Sequence, residues 1–292
     1  MKKIVGLGAC VLDTLINCDK YPKEDTKQKA ESVFVSGGGP VGNALVVLSK
    51  LGVKTEVIGG FGSDNAGKYI LDDFRKYRVG VEKTTIVEHA TSFVSYIILS
   101  ALKATRTCVF DRGSVPDNPD SVCLSAIDDA NILHLDGNYL ECALKAAEYA
   151  KSRGVKVSLD AGGLYFGIER LLPYVDILIP SAEFALGIAC QDSVQAAMRV
   201  LNDKFSPEIL VVTDGGNGGY YWKHGQAVHY DSVKVKAVDT NGAGDTFHGA
   251  FLAAYCEGKS IDKCCEFASK VAAYKCTQKG VRTCKLTREM FE

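Results

Sequence analysis

The hydrophobic positions of the chain form short apolar runs that alternate with stretches of helical periodicity. Apolar runs of about four to eight residues between polar or glycine residues are typical of buried strands. They occur at residues 3–8, 54–61, 131–136, 155–160, 176–179 and 208–213. Apolar side chains spaced three or four residues apart predict helices between the runs, at residues 40–50, 65–77, 139–153 and 193–204. This alternation predicts an α/β fold with a doubly wound, mostly parallel sheet flanked by helices.

Two regions break the alternation, because they contain strand-like segments with no helix between them. One segment spans residues 27–35, and the other two span 93–100 and 107–111, joined near residues 101–105. These segments predict a small β-sheet inserted into the main domain. An isolated small sheet needs a surface to cover its apolar face, which favours a lid or a dimer contact over an ordinary edge hairpin.

The length of the chain fits one large domain. With 292 residues, 47% of them hydrophobic, the chain can bury a full core. We expect a single domain over residues 1–292, with insertions at about 15–36 and 92–112 that build the small sheet.

Charge and cysteine content disfavour several classes of function. The 34 basic and 35 acidic residues give a net charge of −1, and no dense basic block indicates a nucleic-acid or acidic-membrane surface. The 11 cysteines are scattered without a C-x-x-C pair, which argues against a disulfide framework or a zinc site. Free thiols predict a cytoplasmic protein. No apolar run approaches the ~18 residues of a membrane span.

A glycine-rich turn near the C-terminus carries the most specific chemistry. Residues 232–238 alternate with period two, as a strand would, and helical spacing begins at about residue 247. The turn between them contains Gly242, Ala243 and Gly244. The first N–H groups of a helix have no partner within it, so this turn predicts an anion hole that a phosphate would fit.

Asp245 lies in the first turn of the predicted helix, where the helix dipole should favour the ionised carboxylate. A carboxylate there can orient an attacking hydroxyl and accept its proton late in phosphoryl transfer. The residue types alone leave a second interpretation open, in which Asp245 only caps the helix.

Two other glycine motifs resemble nucleotide-binding loops but lack a necessary residue. Residues 62–69 fit G-x-x-x-x-G-K, yet Tyr69 stands where a Ser or Thr must bind magnesium. Residues 37–42 fit G-x-G-x-x-G, but the following strand ends in Ile58-Gly59-Gly60 with no acidic residue to hold a ribose. A nicotinamide oxidoreductase is therefore disfavoured.

Two motifs, which follow one another along the chain in the order that a known family has them, resemble the signatures of that family. The run 239–251 resembles the C-terminal signature of the ribokinase-like (pfkB) carbohydrate kinases, and residues 37–45 with 51–52 resemble their N-terminal signature. The resemblance covers the chain from about residue 5 to about residue 280. It implies a ribokinase-like fold whose small inserted sheet is a lid over the sugar. It also implies an ATP-dependent sugar kinase in which Asp245 is catalytic and the Gly242, Ala243 and Gly244 N–H groups stabilise developing charge.

The same resemblance assigns the two substrate sites. It places Asp13, Gly38, Gly39 and Asn43 at the sugar, and it places Thr213, Gly215 and Gly218 in a loop over the ATP phosphates. From the residues alone, Asp13 could cap a turn, Asn43 could cap the helix that it begins, and the loop could be a plain hairpin turn. Asp13 follows the first predicted strand. Because open α/β sheets bind ligands at the carboxyl ends of their strands, this position favours a functional role for Asp13.

The metal sites are where the chain departs from the family pattern. ATP-bound Mg²⁺ is expected, because the metal screens phosphate charge. Many relatives carry Asn-x-x-Glu, whereas this chain has Ser181-Ala182-Glu183-Phe184, so Glu183 is the candidate with a shifted register. Asp239 and the loop 276–281 resemble the family's monovalent-cation site, which implies K⁺.

Several alternatives remain open at this point. A nucleoside kinase of the same fold would prefer adenosine or inosine to free sugars, and a non-catalytic sugar-binding protein would keep Asp13 and Asn43 without turning over ATP. The expected partner is a small-molecule sugar, with no nucleic acid and no membrane. Relatives in the family pair through their lids, and the apolar inserted strands permit such a homodimer here, but monomers also exist in the family, so the oligomeric state stays open.

Overall fold

The computed structural model describes residues 2–100, 102 and 105–291. It contains strands β1 (Lys3–Leu7), β2 (Val11–Cys18), β3 (Ser32–Gly38), β4 (Lys54–Val57), β5 (Gly59–Gly62), β6 (Val79–Gly80), β7 (Thr84–Val87), β8 (Val94–Ser100), β9 (Thr105–Asp111), β10 (Ile132–Leu135), β11 (Lys156–Ala161), β12 (Ile177–Pro180), β13 (Ile209–Thr213), β14 (Gly219–Lys223) and β15 (Gln226–Tyr230). The helices are α1 (Pro40–Lys50), α2 (Asn65–Lys76), α3 (Leu140–Ser152), α4 (Ala182–Ala189), α5 (Val194–Phe205), α6 (Ala243–Cys256) and α7 (Ile261–Cys276). None of the helices in this described part is long and apolar enough to cross a membrane.

The main sheet has nine strands in the order β15-β14-β13-β12-β11-β10-β1-β4-β6. The pairs from β13 to β6 are parallel, and only the hairpin of β13, β14 and β15 is antiparallel. The predicted doubly wound, mostly parallel sheet is confirmed. Because the chain leaves β1 toward β4 on one side and returns through β10 on the other, the crevice at the carboxyl ends of β1 and β10 is the usual ligand position.

The helices cover both faces of this sheet. Successive side chains of β1 point to opposite faces, so that Ile4 belongs to the core cluster shared with α1, α2, α6 and α7, and Val5 belongs to the cluster shared with α3, α4 and α5. Both residues are fully buried. The near-continuous apolar runs noted in the sequence are explained by this burial on two sides.

A second sheet has four strands in the order β3-β2-β8-β9. It corresponds to the predicted inserted sheet, although the sequence pattern missed β2 and placed the start of β3 too early. The predicted connection at 101–105 includes Ala101, Lys103 and Ala104, which lie outside the described residues.

Two strand predictions were wrong in detail. The apolar run 54–61 divides at Ile58 into β4 and β5, which belong to different sheets. Glycines 59 and 60 supply no side chain to hold a continuous strand on the main sheet. Residues 232–238 form no strand, although they alternate as one would. Val233 and Val235 remain 42% and 41% exposed, since they line a cavity and pack against no neighbouring strand.

Candidate active site

Two cavities meet at the beginning of α6. The first cavity, of about 540 Å³, contains Asp13, Asn43 and Asp245 in its wall. The second cavity, of about 570 Å³, is lined by Glu183 of α4 and by Thr213 and other residues of the β13–β14 hairpin. Both cavities share the residues Ser181, Thr213, Thr240, Ala243 and Gly244. The N-terminus of one helix therefore faces two adjoining ligand-sized spaces.

The four-stranded sheet forms one wall of the first cavity. Alternate residues along its strands face this space: Val11 and Asp13 from β2, Ser95 and Ile97 from β8, and Arg106, Cys108 and Phe110 from β9. Period-two alternation puts one face of a sheet toward a ligand and the other face away from it.

The start of α6 leaves backbone donors unused. Gly242 precedes the helix with φ 70°, a left-handed conformation that favours glycine, and a Cβ there would lie 2.2 Å from Val281. Ala243 donates its N–H to the Thr240 carbonyl at 3.2 Å, whereas the Gly242 and Gly244 N–H groups have no acceptor among the described residues. The predicted anion hole thus retains two free donors, and the Ala243 N–H is already engaged.

Asp245 joins the two sequence signatures in space. Its Oδ2 accepts a hydrogen bond of 2.7 Å from Asn43 Nδ2, across 202 positions of sequence. Removal from solvent, together with the Asp160 carboxylate, raises the pKa of Asp245. The net shift of this pKa is opposite to the one expected from the helix dipole, because loss of solvation is the largest contribution at this position.

Asp13 lies on β2, in the part of the first cavity wall formed by the four-stranded sheet, and is 9% exposed. Burial raises its pKa to about 6, although Ser95 Oγ donates a hydrogen bond of 2.6 Å to its Oδ1 and favours the ionised form. Gly38 permits this placement, because a Cβ on Gly38 would lie 1.9 Å from Asp13 Oδ2. Gly39, which precedes α1, also lines the cavity.

Asn43 does not cap a helix. It is the fourth residue of α1, and Gly39 occupies the N-cap position without a side-chain bond. The Asn43 amide donates to Asp245, while its Oδ1 accepts from Arg282 Nε at 3.3 Å. Its side chain therefore holds Asp245 in place and does not terminate α1.

Arg282 was missed by the sequence analysis. It is 1% exposed and donates to Asn43, to Asp73 Oδ2 at 2.7 Å and to the Gly38 carbonyl at 2.8 Å. Its guanidinium also stacks over the Phe74 ring. A lone arginine near the C-terminus carries no periodic signal, so only the folded chain places it beneath the site.

Two aspartates that sequence reasoning left out of the site border the same cavity. Asp160 pairs with His248, with 3.2 Å from Oδ1 to Nε2, and His248 Nδ1 has no hydrogen-bond partner in the described part of the chain. Asp136 Oδ2 accepts the N–H groups of Ala9 and Val41. Burial raises the pKa of Asp136 to about 6.

The predicted nucleotide-loop residues line the second cavity. Thr213, Gly215 and Gly218 all contribute to its wall, together with residues 232–235 and Ala237 of the extended segment before α6. The loop is the turn of the β13–β14 hairpin. Ser181 connects the two cavities and caps α4 by accepting from the Phe184 N–H at 3.1 Å.

The two candidate metal residues differ in their surroundings. Glu183 lies in the first turn of α4 and lines the second cavity. No group of three His, Cys, Asp or Glu side chains in the described part of the chain forms a closed metal site. Asp239 lies outside both cavity walls, and its Oδ2 is 3.2 Å from Lys275 Nζ.

Comparisons with known proteins agree with this geometry. The model of the pfkB family of carbohydrate kinases matches residues 1–288. The chain is 28% identical to a ribokinase of Haemophilus influenzae, covering 99% of this chain and 96% of that protein. It is 26% identical to a ketohexokinase of Mus musculus, covering 96% and 97%. The structure of an Arabidopsis thaliana ribokinase complexed with ribose and ATP superposes with a TM-score of 0.85, at 24% identity over 99% of this chain and 96% of that one.

Proposed function

Because the chain belongs to the pfkB family of carbohydrate kinases and is a phosphotransferase with an alcohol group as acceptor, we propose that it transfers the γ-phosphoryl group of ATP to a sugar hydroxyl. The observation that supports this most directly is the position of α6. Its N-terminus lies between the two cavities, with Asp245 facing the first and Gly244 bordering both. A sugar in the first cavity and ATP in the second would meet at these residues.

The proposed mechanism assigns each residue a simple task. Asp13, Asn43 and the Gly38–Gly39 backbone bind sugar hydroxyls, and Thr213, Gly215 and Gly218 contact the nucleotide. Asp245 orients the attacking hydroxyl and accepts its proton, while the free N–H groups of Gly242 and Gly244 stabilise charge on the transferred group.

Mg²⁺ bound with ATP would screen the phosphate charges, and Glu183, in the wall of the second cavity, would hold a water bound to the metal.

We also propose that the four-stranded sheet acts as a lid within a single kinase domain. Its inner face already forms a wall of the first cavity. Closure over a bound sugar would exclude the water that otherwise competes for the phosphoryl group.

The acceptor we propose carries an anionic substituent. Arg106 and Arg112 supply positive charge to the wall of the first cavity, and the Arg112 guanidinium stacks over the Tyr165 ring at 5.6 Å from its centroid. A stacked guanidinium keeps its N–H edge free for a phosphate or a sulfonate. Purified protein with ATP, assayed against neutral sugars, phosphorylated or sulfonated sugars and nucleosides, tests this choice. A preference for neutral sugars or nucleosides would refute it.

Substitution of Asp245 tests the proposed reaction. Asp245→Asn keeps the shape and the contact with Asn43 but removes the proton acceptor, so we expect kcat to fall about 10³-fold. Measurement of ADP release at saturating sugar gives kcat, and thermal unfolding checks the fold.

Asp262→Asn is the matched control, because Asp262 also lies in the first turn of a helix, α7, but is remote from both cavities. If Asp245 were only a cap, the two variants would lose stability alike and both would retain activity. Sugar phosphorylation by Asp245→Asn at the rate of the unaltered protein would refute the catalytic role of Asp245.

A further inference from the structure

A lysine ammonium is buried beneath the loop that leads into α6. Lys275, near the end of α7, has no exposed side-chain surface, and its partner Asp239 has a side chain only 7% exposed. Lys275 Nζ donates to the Asp239 carbonyl at 2.8 Å and to the Asn241 carbonyl, and it lies 3.2 Å from Asp239 Oδ2. The three N–H groups of an ammonium thus have three oxygen partners.

Asp239 and the Cys276 carbonyl organise the chain on both sides of the ammonium. Asp239 Oδ1 accepts the Asn241 N–H at 2.9 Å, and Oδ2 accepts the Gly280 N–H at 2.8 Å. The Cys276 carbonyl accepts the N–H groups of both Val238 and Asp239. Lys275 therefore connects the end of α7 to residues 238–241, which immediately precede Gly242 and the free donors of α6.

This arrangement bears on the monovalent cation that the family resemblance implied. Two backbone carbonyls and a carboxylate, buried together, are the kind of oxygen set that suits K⁺. Here a covalently attached cation already satisfies these oxygens. A second cation on the same set would face an unscreened positive charge in a low-dielectric site. The residues present do not fit an exchangeable K⁺ at Asp239.

We propose that the Lys275 ammonium serves as a built-in monovalent cation, which positions the anion-binding turn of α6 and makes the protein independent of K⁺. Lys275 is a positioning residue, since it contacts neither cavity and acts through the carbonyls of Asp239 and Asn241. The kinetic part of this inference rests on the proposed kinase activity. The effect on stability does not depend on that activity.

The first experiment uses the unaltered full-length protein. Phosphoryl transfer is measured in tetramethylammonium, sodium and potassium chloride at equal ionic strength, so that general screening is the same in each. We expect rates that agree within about twofold, because a cation that is held permanently leaves no oxygen set for an added one. Activation by K⁺ of about tenfold or more would overturn the proposal.

The second experiment removes the ammonium. In tetramethylammonium chloride, Lys275→Ala should lower kcat about 100-fold, because the anion-binding donors lose their fixed position. K⁺ or NH₄⁺ should raise the kcat of Lys275→Ala at least about tenfold, since the truncated side chain leaves space for an ion of that size. Lys275→Met fills the space with an apolar stem and should not be rescued.

A readout that is independent of catalysis separates this inference from the proposed function. In the absence of substrates, K⁺ should raise the thermal midpoint of Lys275→Ala and leave the unaltered protein unchanged. Lys3→Ala is the matched control, because Lys3 is also a buried, ion-paired lysine but lies next to Glu56 and Asp129. Equal stabilisation of Lys3→Ala and Lys275→Ala by K⁺, or no stabilisation of Lys275→Ala, would contradict the proposal. If Lys275→Ala does not fold in any salt, the K⁺ response of the unaltered protein still decides.

Discussion

At the scale of single residues, burial decides the protonation of the carboxyl groups in the first cavity. A helix N-terminus stabilises a carboxylate by about 0.3–1 kcal/mol when it is well solvated. Asp245 has that position, yet its pKa is raised because it is desolvated and lies near Asp160. Asp13 has no such position, and burial raises its pKa to about 6. The carboxyl groups of Asp13 and Asp245 therefore take up protons at a higher pH than solvated carboxyl groups do.

We expect kcat/KM for the sugar to fall as the pH drops below about 6, because this parameter reports the free enzyme. A carboxyl group with a raised pKa is protonated below that pKa, and a protonated Asp13 or Asp245 is a poor acceptor of hydroxyl protons. Activity is thus present above this pKa and is lost as the pH falls through it. Initial rates between about pH 5 and pH 8 measure the profile.

Ser95→Ala separates the two carboxyl groups in this profile. Its hydroxyl stabilises ionised Asp13, so its loss should move the acidic limb of kcat/KM to higher pH. A pH profile that stays flat down to about pH 5 in the unaltered protein would contradict the raised pKa values.

At the scale of elements, Arg282 connects segments that are distant in the chain. Through Asn43, Asp73 and the Gly38 carbonyl it contacts α1, α2 and the end of β3. Arg282 and Asp73 are 0% and 10% exposed at their side chains. Arg75 and Asp72 form an ion pair of the same 2.7 Å length on α2, but both are more than half exposed. The two pairs differ in solvent exposure, and Arg282 has in addition its hydrogen bonds to Asn43 and the Gly38 carbonyl.

Arg282→Met should lower the free energy of unfolding by about 3–5 kcal/mol, because it leaves the Asp73 carboxylate buried without its partner. Urea denaturation gives this change. Arg75→Met is the matched control and should shift the midpoint far less, since exposed ion pairs contribute little. Comparable losses in the two variants would show that burial is not what makes the Arg282 pair important.

At the scale of the whole molecule, the two faces of the four-stranded sheet have different surroundings. The inner face lines the first cavity. On the outer face, Val35, Thr14, Tyr96 and Val109 stand next to one another across the strands. Val35, Tyr96 and Val109 are 41%, 51% and 62% exposed. A row of exposed apolar side chains on a sheet is typical of an interaction surface.

We expect the protein to form a homodimer through this outer face. Light scattering should then give twice the chain mass of 31.4 kDa. The double substitution Tyr96→Glu and Val109→Glu should yield monomers, because it buries charge in the interface. Val200→Glu, at an exposed apolar position on α5, should leave the mass unchanged. A monomeric unaltered protein would refute this expectation.

Much of the architecture was predictable because its signals are local. Strands buried on both faces give continuous apolar runs, and this predicted the parallel strands of the main sheet. The same reasoning failed for residues 232–238, since alternating apolar side chains also line a cavity. It also predicted one strand over 54–61, where the structure has two strands in different sheets, because pairing partners are chosen by the fold.

The sequence by itself determined the α/β alternation, the glycine turn before α6 and the carboxylate at Asp245, because periodicity and turn chemistry depend on near neighbours in the chain. Only the tertiary structure decided that Asn43 holds Asp245, that Arg282 lies beneath the site and that Lys275 occupies the oxygens at Asp239. These contacts join distant positions of the chain. Their energies, and the raised pKa values of the carboxyl groups, arise from burial, which exists only once the chain has folded.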